Sequence, residues 1–563
     1  MALSKKWVVL ILVLVVVGGL IVAALLAGRI PANTVLKMRI AGPVAEEDWP
    51  DLGARFWEGD VTVFRNLLEA LDRAQRDEKI VGVSLEVGYV QMGFGKVQEL
   101  RAKLAEFVAS GKFCTAYLES ASNLSYYLAS ACPEVYLTPT SDVMLVGLMG
   151  HTTFMRGTLD KLGIYPDLYH IAEYKAARNI LTEREYTRAH REVVTDLVTT
   201  WQRQLVEGIA AGRGLEPTVV EQLVREGPYL AEEAVEANLI DRLVYWDEYR
   251  ELLKEKAGGQ ELNTISVGSY LERSAPTRGR RIALVYASGT IVSGKSGYDP
   301  FLGRYMGSDT IAAALRAARK DDSVAAIVFR VDSGGGSALA SEVIRREVVL
   351  AREEKPVVVS MSDVAGSGGY WIAMSANKIV ADPGTITGSI GVVTGKLNIK
   401  GFYNLLGITN DYVAPYPNST LFYEFENFTP AQRQTILRFM RDVYDNFLEG
   451  VSNGREMTVE EVHEIAKGRV WLGSEAHELG LVDELGGLER AVEVAKELAN
   501  IPAEEPVEYK IFPRRKTTWE QFTEWMGVSS RTGTPPRTWL DPTRSPLWRE
   551  PVLVMMPFEV EPR

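Results

Sequence analysis

The chain has 563 residues and a net charge of −12, with 46% hydrophobic and 24% charged residues. This length exceeds what one hydrophobic core supports and predicts at least two domains, while the apolar content excludes wholesale disorder. The acidic balance, without a long basic cluster, argues against a nucleic-acid surface. The two cysteines, Cys114 and Cys132, lack the spacing of a zinc site, and the sequence leaves their pairing open.

The amino end predicts one transmembrane helix. Residues 7–28 are uncharged and rich in Val, Leu and Ile, with lysines before them and an arginine after them. A helix of roughly 20 residues spans a hydrocarbon core of about 30 Å. A cleavable signal peptide has a shorter apolar region and a small-x-small cleavage site, which Leu25-Leu26-Ala27 matches poorly. We therefore expect an uncleaved, single-pass anchor in the lipid bilayer, with residues 1–6 in the cytoplasm and the remainder outside.

Comparison of the chain with itself reveals two copies of one domain. At a shift of 244 residues, Tyr126-Tyr127-Leu128-Ala129 falls on Tyr370-Trp371-Ile372-Ala373, and further matches follow at a shift of 242. So many matches at nearly constant spacing indicate a duplication. We predict that the copies span residues 30–255 and 278–505.

Each copy is an alternation of apolar strands and amphipathic helices. In the second copy, the pattern of apolar residues predicts, in chain order, strand 324–331, helix 342–353, strand 356–361, helix 369–376, strand 379–381 and helices 429–450 and 458–466. Strands separated by helices predict an α/β fold with parallel sheets and covering helices. The tail, residues 513–563, is rich in Arg, Pro and Trp and is predicted to be a poorly folded extension.

Two glycine-rich turns of the second copy suggest nucleophilic catalysis. Ser367 lies in Ala365-Gly366-Ser367-Gly368-Gly369-Tyr370, where a strand meets a helix whose first N–H groups lack partners. Upstream, Asp332-Ser333-Gly334-Gly335-Gly336-Ser337 follows another strand and can aim a second N–H at the same point. Two such donors would form an oxyanion hole. Each turn alone is more simply explained as a helix cap, but together they favour a catalytic serine.

A serine nucleophile needs a base, and the five histidines are poor candidates. His463 and His477 fall in helical segments, and the repeat partner of His477 is Val235, which indicates a structural position. Lysine can serve if burial lowers its pKa from about 10.4 toward 7–8.

The duplication singles out one lysine. Ser367 aligns with Asn123, so the first copy has lost its nucleophile. Lys175 aligns with Ser419, so the second copy lacks the lysine. Each copy therefore retains one half of a serine–lysine dyad, although the sequence does not say whether the halves meet within one chain.

These motifs resemble signal peptide peptidase A in its long, two-copy form, over residues 30–505. The matching runs are Gly-Ser-Gly-Gly-Tyr-Trp at 366–371, Thr-Gly-Ser-Ile-Gly at 387–391, Tyr-Lys-Ala-Ala at 174–177 and the glycine turn at 334–336. The resemblance implies tandem domains of the crotonase and Clp-protease fold, assembled as a membrane-anchored homotetrameric bowl without metal or cofactor. It also implies that signal-peptide remnants are degraded on the outer side of the bacterial cytoplasmic membrane.

Residue by residue, the resemblance implies that Ser367 is the nucleophile, Lys175 the general base and Ser389 a hydrogen-bond partner of the lysine. Gly335 and Gly368 would supply the oxyanion N–H groups. The family often has proline where this chain has Gly334, which leaves the turn less rigid here.

Three alternatives remain. A coenzyme-A enzyme can share the fold but needs neither the dyad nor an anchor. An α/β-hydrolase esterase would need Gly-x-Ser-x-Gly, and Ala365 replaces the first glycine. A non-catalytic membrane scaffold would retain Ser367 as a relic, as Asn123 shows can happen.

Overall fold

A computed structural model describes most of the chain. The described residues are 29–47, 61–299, 303–514 and, for the backbone alone, 553–555. The predicted membrane anchor, residues 7–28, lies outside these residues, as does most of the tail. Within the described ranges, no helix combines the length and apolar character needed to cross a membrane.

The first copy contains eleven strands and ten helices among its described residues. The strands are β1 (Thr34–Ala45), β2 (Thr62–Val63), β3 (Ile80–Gln91), β4 (Phe113–Leu118), β5 (Ala121–Ser122), β6 (Glu134–Leu137), β7 (Asp142–Met144), β8 (Tyr165–Ile171), β9 (Tyr229–Leu230), β10 (Arg242–Leu243) and β11 (Asn263–Ser266). The helices are α1 (Phe64–Arg76), α2 (Phe94–Ala109), α3 (Asn123–Ala129), α4 (Arg156–Lys161), α5 (Asn179–Thr182), α6 (Arg188–Arg213), α7 (Pro217–Glu226), α8 (Ala231–Glu236), α9 (Trp246–Lys256) and α10 (Val267–Arg273). A 3₁₀ turn covers Ala176–Arg178.

The second copy has the remaining described elements. Its strands, with one from the tail, are β12 (Arg280–Ser288), β13 (Thr290–Val292), β14 (Gly297–Asp299), β15 (Gly303–Gly307), β16 (Val324–Ser333), β17 (Gly335–Ser337), β18 (Val357–Gly366), β19 (Lys378–Ala381), β20 (Ile386–Gly388), β21 (Val392–Asn398), β22 (Val470–Leu472), β23 (Glu484–Leu485), β24 (Val507–Phe512) and β25 (Leu553–Met555). Its helices are α11 (Ser308–Arg319), α12 (Ala338–Arg352), α13 (Gly368–Ala373), α14 (Lys400–Leu405), α15 (Pro430–Arg455), α16 (Val459–Ala466), α17 (Gly473–Glu478) and α18 (Leu488–Leu498). A 3₁₀ turn covers Pro417–Thr420.

The main sheets of the two copies share one topology. The first copy has the strand order β10-β6-β4-β3-β1-β11, and the second has β23-β19-β18-β16-β12-β24, in both cases with parallel neighbours. This arrangement confirms the predicted α/β fold with parallel sheets, and the identical orders agree with the internal repeat. Central strands are apolar on both faces because helices cover both; Ala326, Ile327, Val328 and Phe329 of β16 have no exposed surface.

A third sheet joins the two copies. Its order is β14-β15-β13-β17-β25-β21-β8, in which β8 of the first copy pairs antiparallel with β21 of the second. The register runs from Ile171 opposite Val392 to Tyr165 opposite Asn398. The segment that follows β8 is therefore brought against the second copy.

A buried ionic cluster lies between the copies. Arg330 of β16 has no exposed surface and forms ion pairs with Glu46 and Glu99 of the first copy. Burial would raise the pKa of Glu46, but Arg330 and Lys96 lower that pKa to about 2. These paired charges tie the two halves in one relative position.

Cys114 and Cys132, whose pairing the sequence left open, form a disulfide. Cys114 lies in β4, and Cys132 follows α3. The bridge therefore joins a central strand of the first copy to the end of the adjacent helix.

Candidate active site

Ser367 lies at the junction between β18 and α13, as the sequence predicted. Its backbone has φ 55° and ψ −113°, a conformation that costs a non-glycine residue about 1–3 kcal/mol. The Ser367 N–H donates to the Gly388 carbonyl at 2.7 Å, and its carbonyl accepts from the Trp371 N–H. These bonds hold the strained turn and leave the hydroxyl free to face the first copy.

The lysine of the first copy meets this hydroxyl within one chain. Lys175 Nζ lies 2.6 Å from Ser367 Oγ, 192 residues away in sequence. The amine also donates to the Ser389 carbonyl at 2.7 Å and contacts Ser389 Oγ at 2.9 Å. Lys175, Ser367 and Ser389 all lack exposed surface.

Burial determines the protonation of this lysine. Desolvation holds the pKa of Lys175 well below its usual value. A neutral amine 2.6 Å from a serine hydroxyl can accept the hydroxyl proton, which is the task of a general base.

The backbone of the second copy supports Lys175. The preceding residue, Tyr174, donates its N–H to the Lys467 carbonyl at 2.8 Å. A Cβ atom added to Gly468 would lie 2.5 Å from the backbone nitrogen of Lys175, and one added to Gly391 would lie 3.1 Å from Lys175 Cδ. Two glycines thus allow the close approach that positions the amine. Sequence reasoning missed Gly468, which no motif marked, whereas Gly391 belongs to the Thr-Gly-Ser-Ile-Gly run.

The two predicted oxyanion glycines lie side by side. A Cβ atom added to Gly368 would lie 3.0 Å from Gly335 Cα. Gly368 begins α13, so its N–H has no partner within the helix. The Gly335 N–H donates to Ser333 Oγ at 3.1 Å. This donor must turn away from Ser333 before it can bind an oxyanion.

A buried lysine of the first copy anchors the glycine-rich turn 333–337, which is called the oxyanion turn below because it contains the predicted oxyanion residue Gly335. Lys96 Nζ donates to Asp332 at 2.6 Å and to Asp363 at 2.7 Å. Asp332 directly precedes the turn and also accepts the Val364 N–H at 3.2 Å. Burial would lower the pKa of Lys96, but Asp332 and Asp363 raise it. The sequence offered no signal for Lys96, because its partners are more than 230 residues away.

The equivalent site of the first copy is filled by Asn123. Its Oδ1 accepts the N–H groups of Val146 and Gly147 at 3.0 and 3.1 Å, and its Nδ2 donates to the Gly147 carbonyl. In the repeat alignment these residues correspond to Ile390 and Gly391 of the second copy. The amide side chain therefore closes the loop structurally, and Ser419, the counterpart of Lys175, is exposed.

His170 and His463 contact groups other than Ser367. His170 Nδ1 contacts the Lys175 carbonyl at 3.0 Å, and His463 Nδ1 lies 3.3 Å from the Tyr444 hydroxyl. Among the described residues, no group of three or more His, Cys, Asp or Glu side chains is arranged to hold a metal ion.

A piece of the tail lies beside the site. In β25, Leu553, Val554 and Met555 pair antiparallel with Ser337, Gly336 and Gly335 of the oxyanion turn. On the other side Leu553 pairs with Val393 of β21. The prediction of a poorly folded tail missed this strand, since three residues among Arg and Pro give no periodic signal; the rest of the tail beyond Arg514 lies outside the described residues.

Comparison with known proteins places these features in context. The sequence pattern of "Peptidase family S49" matches residues 106–260 and 350–502. The chain is 32% identical over 510 residues to "Serine protease SPPA, chloroplastic" of Arabidopsis thaliana, covering 89% of this chain and 74% of that protein. It is also 32% identical over 456 residues to "Protease 4" of Haemophilus influenzae, covering 77% of this chain and 72% of that protein. A solved ClpP1 mutant from Listeria monocytogenes is 12% identical over 38% of this chain and 95% of its own, with a TM-score of 0.24, too low to establish a shared fold.

Proposed function

The chain belongs to peptidase family S49 and is a serine peptidase, and from this premise we propose that Ser367 is its nucleophile and Lys175 its general base. The observation that carries the proposal is the 2.6 Å contact between Lys175 Nζ and Ser367 Oγ. It is supported by the burial that lowers the pKa of the lysine and by the contacts with Ser389 that orient its amine.

The reaction is acyl transfer to the serine. Neutral Lys175 accepts the Ser367 proton while Oγ attacks the peptide carbonyl, and the Gly368 N–H stabilises the developing oxyanion. Gly335 adds the second donor once its N–H has left Ser333 Oγ. Lys175 then protonates the leaving amine and activates the water that hydrolyses the acyl-enzyme.

The substrate is bound as an extended chain. Strands β17 and β21 lie on opposite sides of β25, so a peptide in that position pairs with a strand edge on each side. Main-chain pairing of this kind requires an extended peptide, and it imposes little sequence specificity because it does not involve the side chains. Cleaved signal peptides and similar apolar peptides are the substrate class, as the resemblance to signal peptide peptidase A implies.

The enzyme works at a membrane. Residues 7–28 anchor it in the bacterial cytoplasmic membrane by a single pass, with the catalytic part on the outer side and four subunits forming a bowl. The disulfide between Cys114 and Cys132 supports an oxidising compartment outside the cytoplasm. Fractionation of cells that express the full chain, or a chain lacking residues 1–29, tests the anchor; equal recovery of both in the soluble fraction contradicts it.

The catalytic roles are tested by peptide cleavage. The substrates are a fluorogenic peptide with leucine or alanine before the bond and a synthetic signal peptide. Ser367→Ala and Lys175→Ala should each lower kcat/KM by at least about 10²–10⁴-fold. Lys161→Ala and Ser419→Ala, at exposed positions, are the matched controls and should retain activity.

Circular dichroism and subunit mass must match the parent for a loss to count. Near-normal activity of Lys175→Ala would show that another group serves as base. A folded parent that cleaves neither substrate at any pH would favour the membrane scaffold.

A further inference from the structure

Arg469 links the two copies beside the candidate active site. It belongs to the second copy, where it directly precedes β22. Its guanidinium pairs with Glu192 at 2.7 Å and with Asp196, which lie one turn apart on α6 of the first copy. The Arg469 side chain is only 16% exposed, so the pairs form where the surfaces of the two copies meet.

The same guanidinium lies against two aromatic rings. Its Cζ is 5.0 Å from the ring centroid of Tyr174 and 4.6 Å from that of Trp471. A guanidinium is suited to this place because its edge binds carboxylates while its faces stack on rings. Tyr174 directly precedes Lys175, and its hydroxyl donates to Glu192 at 3.2 Å. The residue before the lysine is therefore held by both members of the ion pair.

The backbone around Arg469 contacts the groups that hold the lysine. The Arg469 carbonyl accepts the Ser389 N–H at 2.7 Å, and Ser389 Oγ contacts Lys175 Nζ. Two residues earlier, the Lys467 carbonyl accepts the Tyr174 N–H at 2.8 Å. Residues 467–469 thus support Lys175 both at its backbone and at its amine. A side chain that fixes this segment against α6 fixes both ends of the lysine.

The repeat has lost this stack at the equivalent positions. At the shift of 242, Arg469 aligns with Gly227 of the first copy, and at the shift of 244, Tyr174 aligns with Asn418 of the second. Neither residue can form a cation–π contact. The two copies nevertheless share the order of their main sheets. The fold of a copy does not require the stack, which is retained only where a lysine is held against a serine.

We propose that Arg469 is a positioning residue for the general base: through Tyr174 and Ser389 it holds the Lys175 amine against Ser367 Oγ and keeps water from it. The inference rests on the function proposed above. Arg469 takes no part in the proton transfer and acts on the rate through Lys175.

Loosening this support has a consequence that a purely structural role lacks. Burial desolvates the Lys175 amine and holds its pKa low. Water admitted by a looser segment raises that pKa toward its usual value, so the rise of kcat/KM with pH moves to higher pH. A loss of stability alone leaves the position of this rise unchanged. Burial also lowers the pKa of His170, which contacts the Lys175 carbonyl, so this ring is neutral above pH 7 and adds no charge there.

Full-length Arg469→Met, assayed with the fluorogenic peptide from pH 5 to 10, tests the proposal. The rise of kcat/KM should move upward by at least about half a pH unit, and kcat should fall at least about tenfold with little change in KM. Arg469→Lys keeps the charge without the planar fork and should move the rise in the same direction. Arg490→Met, which loses ion pairs with Glu484 and Glu493, is the matched control and should leave the rise in place. An unmoved rise in Arg469→Met overturns the proposal.

Glu192→Gln/Asp196→Asn separates positioning from electrostatics. The two side chains are 42% and 45% exposed, so this variant should fold even if Arg469→Met does not. Removal of negative charge near a lysine lowers its pKa, which would move the rise of kcat/KM to lower pH. Release of the guanidinium instead moves it to higher pH, as we expect. A rise at the parental pH or below it overturns the proposal, whereas near-normal activity of Lys175→Ala counts against the proposed function instead.

Discussion

At the scale of single residues, the proposed role of Lys175 as general base predicts how the rate responds to pH. Desolvation lowers its pKa, and only the neutral amine can accept the Ser367 proton. Below the lowered pKa, kcat/KM should therefore rise about tenfold per pH unit and then reach a plateau. The measurement is kcat/KM on the fluorogenic peptide from pH 5 to 10, with circular dichroism at each pH. A rate that falls steadily above pH 7 in the folded enzyme would contradict the role of the lysine.

Gly468 provides a second test at this scale. Its φ is +75°, and a methyl group there would lie 2.5 Å from the backbone nitrogen of Lys175. Gly468→Ala should therefore displace the lysine and lower kcat by about 10²-fold, the effect expected of a 1 Å misplacement. Kinetics on the fluorogenic peptide measure the loss.

Gly480→Ala is the matched control, because Gly480 has the same φ of +75° and its added Cβ would meet only the Met457 sulfur at 4.0 Å. Both variants carry the backbone strain of an alanine at positive φ, about 1–2 kcal/mol. An equal loss of activity in Gly468→Ala and Gly480→Ala would show that backbone strain alone causes the loss and that Lys175 tolerates the displacement.

At the scale of elements, the oxyanion turn depends on a charge from the other copy. Lys96 lies near the start of α2. The N–H groups of Gly93, just before this helix, and of Lys96 donate to the Asp363 carboxylate, and the Lys96 amine donates to Asp332 near the end of β16. Lys96→Met would leave Asp332 and Asp363, whose side chains are 20% and 12% exposed, without their buried cation, a change that costs up to about 3–5 kcal/mol. We expect a lower melting temperature and a reduced kcat with little change in KM.

A double-mutant cycle measures the coupling between Lys96 and Asp332 in both stability and kcat. Asp332→Asn in the Lys96→Met background removes one of the orphaned carboxylates and should recover part of both stability and kcat. Lys320→Met, at an exposed lysine after α11, is the control for loss of a positive charge. Additive effects of the two changes would show that the ion pair does not position the turn.

At the scale of the whole molecule, the dyad exists only while the two copies remain docked. Arg330 pairs across the junction with Glu46 and Glu99, and none of these side chains is more than 6% exposed. Arg330→Met should cost about 3–5 kcal/mol, because two carboxylates lose their buried partner. Thermal unfolding should shift to lower temperature, while Arg346→Met, at an exposed position of α12, should leave it unchanged. An unaltered transition for Arg330→Met would show that other contacts dock the copies.

The sequence by itself determined the class of fold and singled out the proposed catalytic pair. Apolar runs between amphipathic segments predicted the parallel sheets, and strand 324–331 is observed as Val324–Ser333. The predicted helix 342–353 begins earlier, at Ala338, because Ser337 caps it by accepting the Ala340 N–H. Ser367 and Lys175 were predicted because the duplication indicates which half of the proposed dyad each copy has kept. These features depend on local periodicity and on self-comparison, which one chain contains in full.

Only the tertiary structure decided which distant groups meet. The pairing of β8 with β21 brings Lys175 to Ser367 within one chain, and Gly468 leaves room for its backbone. Lys96, Arg330 and the strand Leu553–Met555 acquire their partners across more than 150 residues. No local pattern encodes such contacts, because burial and charge pairing between remote segments depend on how the sheets assemble. That assembly turns two incomplete copies into one site.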